Sequence, residues 1–308
     1  MITKGFSLIE MIASTVMGTI ILGFALGGFI SMRQSFVLDK GGGDVNQRLR
    51  TIFATIGPDL QQLGQGLTNT SIPLPLVKLE VFNAGTANET SAITTRKVII
   101  PKVLTPESQL DKNTVSTTIV VKEDSDTLTE WKNTRINNGG KIRASILNSL
   151  GQEQFFDYIG ENIDTSVSPP ISTITIASTT WANDYPPNSS IYLMDKRKYE
   201  VKDNTLTLTV NDNNTFKLVE YVEKLNIVAT IESRNNSGTT FFSECKGIPD
   251  TGTPTNCNTA PIGYKFENIR AIDVKATVKQ KGNDHQKKQL NEENLTMSQK
   301  FFPRNTIN

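Results

Sequence analysis

The chain has 308 residues and a formal net charge of +1. That length allows one large domain or two small ones, and the near-neutral charge excludes a whole-molecule electrostatic footprint for nucleic acid. Abundant Thr, Asn and Ser with few aromatics suit an exposed, strand-rich exterior better than a compact cytosolic enzyme.

Residues 6–30 form an almost continuous apolar run in which Glu10 is the only ionisable group. About 20 helical residues cross a hydrocarbon core, so the run predicts a membrane-spanning helix. It is too long for the 7–15-residue core of an ordinary secretory signal. Lys4 precedes it and Arg33 follows it, a weak basic asymmetry that fits a cytoplasmic N-terminus. Gly18, Gly23, Gly27 and Gly28 lie inside, and Gly23 and Gly27 have the spacing of a close-packing helix face. Gly41-Gly42-Gly43 predicts a break or flexible joint, with Asp44 placed to cap a second helix.

That second helix carries one apolar stripe: Val45, Leu49, Ile52, Phe53, Ile56, Leu60 and Leu63 recur at spacings of three and four. Gln47, Arg48, Arg50, Asp59, Gln61 and Gln62 fill the opposite face. Pro58 is a candidate kink, and Gly64 and Gly66 a terminus.

From residue 68 onward, short β-branched runs alternate with Asn, Asp, Gly and Pro turns. The runs are 97–100, 116–121, 172–176, 190–194, 205–210, 225–231 and 269–278. Several alternate with period two, the mark of half-buried strands. Their spacing predicts an antiparallel sheet system, not βαβ units. The expected fold class is α+β, a long N-terminal helix followed by an antiparallel β-rich head with strand-rich insertions. The expected segments are a leader at 1–5, a transmembrane helix at 6–40, an amphipathic continuation at 44–66 and the head at 67–308.

The two cysteines, Cys245 and Cys257, flank a turn-forming segment. With an export signal at the N-terminus, the reading is a disulfide closing a loop of roughly a dozen residues, worth about 3 kcal/mol in chain-entropy terms. The alternative is two free thiols in a reducing compartment. Asp124-Ser125-Asp126, Asp203-Asn204 and Asn211-Asp212-Asn213-Asn214 offer hard oxygens for calcium, but none has the twelve-residue loop with a terminal Glu. Asx-rich turns explain them without metal.

His285, the single histidine, sits in a solvated loop. The basic stretch holding Lys275, Lys279, Lys281, Lys287 and Lys288 has no interleaved aromatics and has Asp284, Glu292 and Glu293 nearby, so nucleic acid is disfavoured. No Gly-x-Ser-x-Gly, phosphate loop, dinucleotide fingerprint or zinc spacing occurs. The expectation is therefore a non-enzyme, with no catalytic residues, cofactor or metal.

Lys4-Gly5, then Phe6-Ser7-Leu8-Ile9-Glu10, then the apolar run to residue 30, resembles the type IV pilin and pseudopilin superfamily. The resemblance implies cleavage by a prepilin peptidase after Gly5 and N-methylation of Phe6. It makes Glu10 the assembly residue, at the fifth position of the mature chain. A carboxylate in a membrane helix is costly, which marks it as functional by default. In a fibre it can approach the amine of a neighbouring subunit. By position alone, Glu10 sits equally well at the headgroup level.

The Arg33-Gln34-Ser35 segment, the Pro58–Gly64 element and the closing run that reaches Arg304-Asn305 are most similar to PilW-type minor pilins, with Gln61 where that family often has Arg. The implied function is a minor pilin that enters or primes a type IV pilus, with the tip as a candidate position. The alternatives are a minor pseudopilin of a type II secretion system and a pilus-borne adhesin or DNA-uptake module. The implied partners are prepilin peptidase, other major and minor pilins, the inner-membrane assembly platform and the lipid bilayer. The implied location is the inner membrane, single-pass with a periplasmic head, and then the fibre at the cell surface.

Overall fold

In the computed structural model the described residues are 8–63, 76–123, 125–168, 170–235, 237–249, 253–261, 268–279 and 295–303. The chain divides into two compact units, one holding residues 1–48 with 279–295, the other holding 49–278 with 296–308.

Helix α1 (Leu8–Gln61) is a single 54-residue element. The two segments expected on either side of Gly41-Gly42-Gly43 are one helix, and Asp44 is not its cap. Asp44 lies inside α1 and forms an ion pair with Arg48 one turn on, at 2.7 Å. Backbone i→i−4 bonding does not need a Cβ, so glycine weakens a helix without forbidding it. Pro58 is also helical, and the Gln62 amide donates to its carbonyl at 3.0 Å.

In the second unit, α1 residues Leu49, Ile52, Phe53, Ile56 and Leu60 are buried, as is Leu63 just beyond, following the predicted stripe. Part of their cover is the last described strand. Phe301 stacks on Phe53 with ring centroids 6.5 Å apart. The same ring lies so close to Gly57 that a Cβ there would be 2.7 Å from it. Glycine at 57 is what admits the ring.

Two antiparallel sheets make up the rest. The larger is built from β1 (Val77–Phe82), β2 (Thr90–Val98), β3 (Val115–Val121), β4 (Ile142–Leu147), β5 (Glu153–Asp164), β6 (Ile171–Thr180), β7 (Ser190–Lys202), β8 (Thr205–Val210) and β9 (Asn214–Glu220). Its main path runs β1-β2-β7-β4-β5-β6-β3, and the β8–β9 hairpin branches from β7. The smaller sheet has the order β12-β11-β10-β13-β14, from β10 (Val222–Arg234), β11 (Thr240–Gly247), β12 (Thr255–Cys257), β13 (Ile269–Val278) and β14 (Leu295–Phe301). The sheets meet where β1 bridges the end of β11, Leu79 and Ile248 exchanging backbone bonds of 2.9 and 3.0 Å. The α+β class follows.

Two of the three Asx clusters are turns; in the third, Ser125 and Asp126 open a helix and Asp124 lies outside the described residues. Asp203-Asn204 joins β7 to β8 with φ of 50° and 55°. Asn211-Asp212 joins β8 to β9 with φ of 50° and 56°, closed by the Asn213 amide donating to the Val210 carbonyl at 3.1 Å. Two successive positive φ values define the turn whose twist matches a two-residue hairpin. Among the described residues, no group of three or more His, Cys, Asp or Glu is placed to hold a metal ion.

A second helix, α2 (Ser125–Asn137), was not expected in this strand-rich stretch. It buries Leu128 and Trp131 in the main core of the larger sheet, and Trp131 meets Tyr158 edge-on with centroids 5.4 Å apart. Its C-terminus is closed by Gly139 and Gly140, both at positive φ, whose amides return to Ile136 and Arg135.

Candidate functional site: an uncovered apolar helix and a helix–sheet seam

Of the residues implied by the resemblance, Gly5 and Phe6 lie outside the described residues, as does His285. Glu10 lies in the first described turn of α1. Beyond it the helix keeps its apolar side chains outside. Leu8 is 78% exposed, Phe24 78% and Phe36 67%, and Ile12, Val16, Ile20, Ile21, Phe29 and Ile30 are all more than half exposed. None of the most apolar 18-residue window is buried.

The helix is long and apolar enough to cross a membrane. Residues 8–36 rise by roughly 43 Å as α-helix, against a hydrocarbon core of about 30 Å. Three hydroxyls near the start of the stretch bond within the helix. Ser14 donates to the Glu10 carbonyl at 2.5 Å, Thr15 to Met11 at 2.5 Å and Thr19 to Thr15 at 3.0 Å. Such back-bonding leaves few polar groups that need water. A helix that is apolar all round is of the kind found in the core of a large protein or across a membrane.

No family model matches the chain, and neither does any curated protein or solved structure.

The second feature is a seam between the buried part of α1 and the larger sheet. Asp59, read from the sequence as part of a solvated helix face, points at strand β7. It accepts the Tyr199 hydroxyl at 2.5 Å and the Arg197 Nη1 at 3.0 and 3.2 Å. Arg197 also donates to Asp195 at 2.9 Å, and Lys97 donates to Gln62 at 2.8 Å. Tyr199 is fully buried. Burial first, then its bond to the Asp59 carboxylate, pushes its phenol well above the ordinary value. These contacts fix the rotation of α1 about its own axis over β2 and β7. The signal in the sequence was Tyr199 itself, the single aromatic in the charge-rich run 195–202; nothing in that run pairs it with a residue 140 positions away.

Cys245 and Cys257 form the expected disulfide, on residues directly opposite each other in the β11–β12 pair. The bridge holds a three-residue edge strand to the smaller sheet.

Proposed function

We propose that this chain is a minor pilin that enters or primes a type IV pilus. The observation that supports the reading is the exposed apolar stretch at 8–30, following the Lys4-Gly5-Phe6 junction. The helix first serves as a single-pass anchor with the strand-rich unit outside the inner membrane. Peptidase cleavage between Gly5 and Phe6 then frees the amine of Phe6. The same apolar surface leaves lipid for a bundle of sibling helices, and Glu10 offsets a neighbour's amine in that low-dielectric setting. The bulk of the second unit favours a place at the fibre end.

Mass spectrometry of the mature N-terminus, from cells with and without prepilin peptidase, tests this. The expected product starts at N-methylated Phe6 only when the peptidase is present. An intact Met1 in both strains, or cleavage elsewhere, overturns it.

A further inference from the structure

The stretch 39–44 is the part of α1 whose own side chains offer no apolar face to pack, although Asp44 pairs with Arg48. Asp39, Lys40, Gly41, Gly42, Gly43 and Asp44 contain no apolar side chain. Before it lies the exposed apolar stretch, and after it begins the buried stripe at Val45. Helices in proteins are stabilised mostly by packing an apolar face, and this turn and a half has none to pack.

Two of the glycines, Gly42 and Gly43, have no steric reason among the described residues. Among the described residues, a Cβ built at Gly42 or Gly43 meets nothing within 4 Å, in contrast to Gly57, which Phe301 requires. Three consecutive glycines shift the local helix equilibrium by roughly 100-fold relative to alanine. The boundary between the two compact units falls just after the stretch, at Arg48 and Leu49.

We infer that residues 39–44 are a built-in joint of α1, a turn and a half that opens and recloses while the helix on either side stays formed. The glycines set how often it opens. Opening converts about six residues from a rise of ~1.5 Å to one of up to ~3.3 Å, so the chain can lengthen by roughly 10 Å there. This inference does not depend on the pilin reading.

Amide hydrogen exchange on the full chain in detergent micelles tests it. In the wild type, amides of residues 41–46 should exchange about 100-fold faster, relative to their unstructured rates, than those of residues 52–60. The triple variant Gly41→Ala/Gly42→Ala/Gly43→Ala should slow them by roughly 100-fold, and Gly42→Ala alone by about fivefold, with β2 and β7 amides unchanged in both. Equal protection of 41–46 and 52–60 in the wild type overturns the joint. So does a triple variant that leaves the 41–46 rates where they were.

Discussion

Replacing Asp59 with alanine removes the one acceptor shared by Tyr199 and Arg197. The two donors do not lose equally. The Arg197 side chain is 41% exposed, so water and salt screen its half of the seam, and a pair of that kind contributes about 0.2–1 kcal/mol. Tyr199 is fully buried, and its hydroxyl is left with only the Thr55 carbonyl, at 3.5 Å. A buried hydroxyl stripped of a charged acceptor costs about 1–3 kcal/mol.

The two together make about 1–4 kcal/mol for Asp59→Ala. Asp59→Asn, which keeps a neutral acceptor, should lose about 1 kcal/mol. Chemical denaturation of the full chain in detergent, followed by far-ultraviolet circular dichroism, reads these values. The partition is checked by a cycle with Tyr199→Phe, where Asp59 and Tyr199 should couple by at least about 1 kcal/mol. A loss below 0.5 kcal/mol for Asp59→Ala, or a coupling near zero, refutes the claim that this seam seats the helix.

Three further outcomes follow from the strand-rich unit. Burial raises the Glu161 carboxyl, but hydrogen bonds from Arg135 and from Tyr158 outweigh it, and its titration lies below the usual carboxylate range. A depressed carboxylate contributes stability above its unfolded value of about 4.3, and that stability is lost as pH falls through the folded value. Glu161→Gln should therefore destabilise by about 2–3 kcal/mol at pH 7 and flatten the fall in unfolding free energy between about pH 5 and pH 2 in a denaturation series. The double variant Cys245→Ala/Cys257→Ala should lose about 3 kcal/mol, the loop-closure value for a separation of 12 residues, and a reducing agent should no longer shift its denaturation midpoint. Asn204→Gly at the β7–β8 turn should gain about 0.5–1 kcal/mol in the same assay, since Asn204 sits at φ 55° where glycine has no steric penalty.

Features set by local chemistry were legible in the sequence. The stripe from Val45 to Leu63 is buried position by position, because 3.6-residue periodicity reports a packed helix face whatever packs on it. Strands such as Thr205–Val210 and Ile269–Val278 stand where β-branched alternation put them. Other features depend on what the chain meets at long range. Asp59 looks solvated until Tyr199 and Arg197 arrive from β7. Helix α2 was hidden because its sequence is mostly polar, and only Leu128 and Trp131, three residues apart, mark its buried side. The triple glycine argues locally for a break, and hydrogen bonding along α1 carries the helix across it. The N-terminal motif had the sharpest functional signal, yet its first residues fall outside the described chain.

The ring of Phe301 against Gly57 also orders events during synthesis. Gly57 leaves the ribosome long before Phe301, which is on the last described strand. Contacts between such distant positions form slowly, because a long loop must close before they yield any free energy. The stripe from Leu49 to Leu63 must therefore wait, incompletely covered, while the β-strands are made. An apolar helix already lodged in a bilayer is kept from aggregating during that interval. On the membrane-anchor reading proposed above, insertion ahead of folding would act as the protein's own chaperone, and a chain stopped before β14 would leave Gly57 as a slot with nothing to fill it.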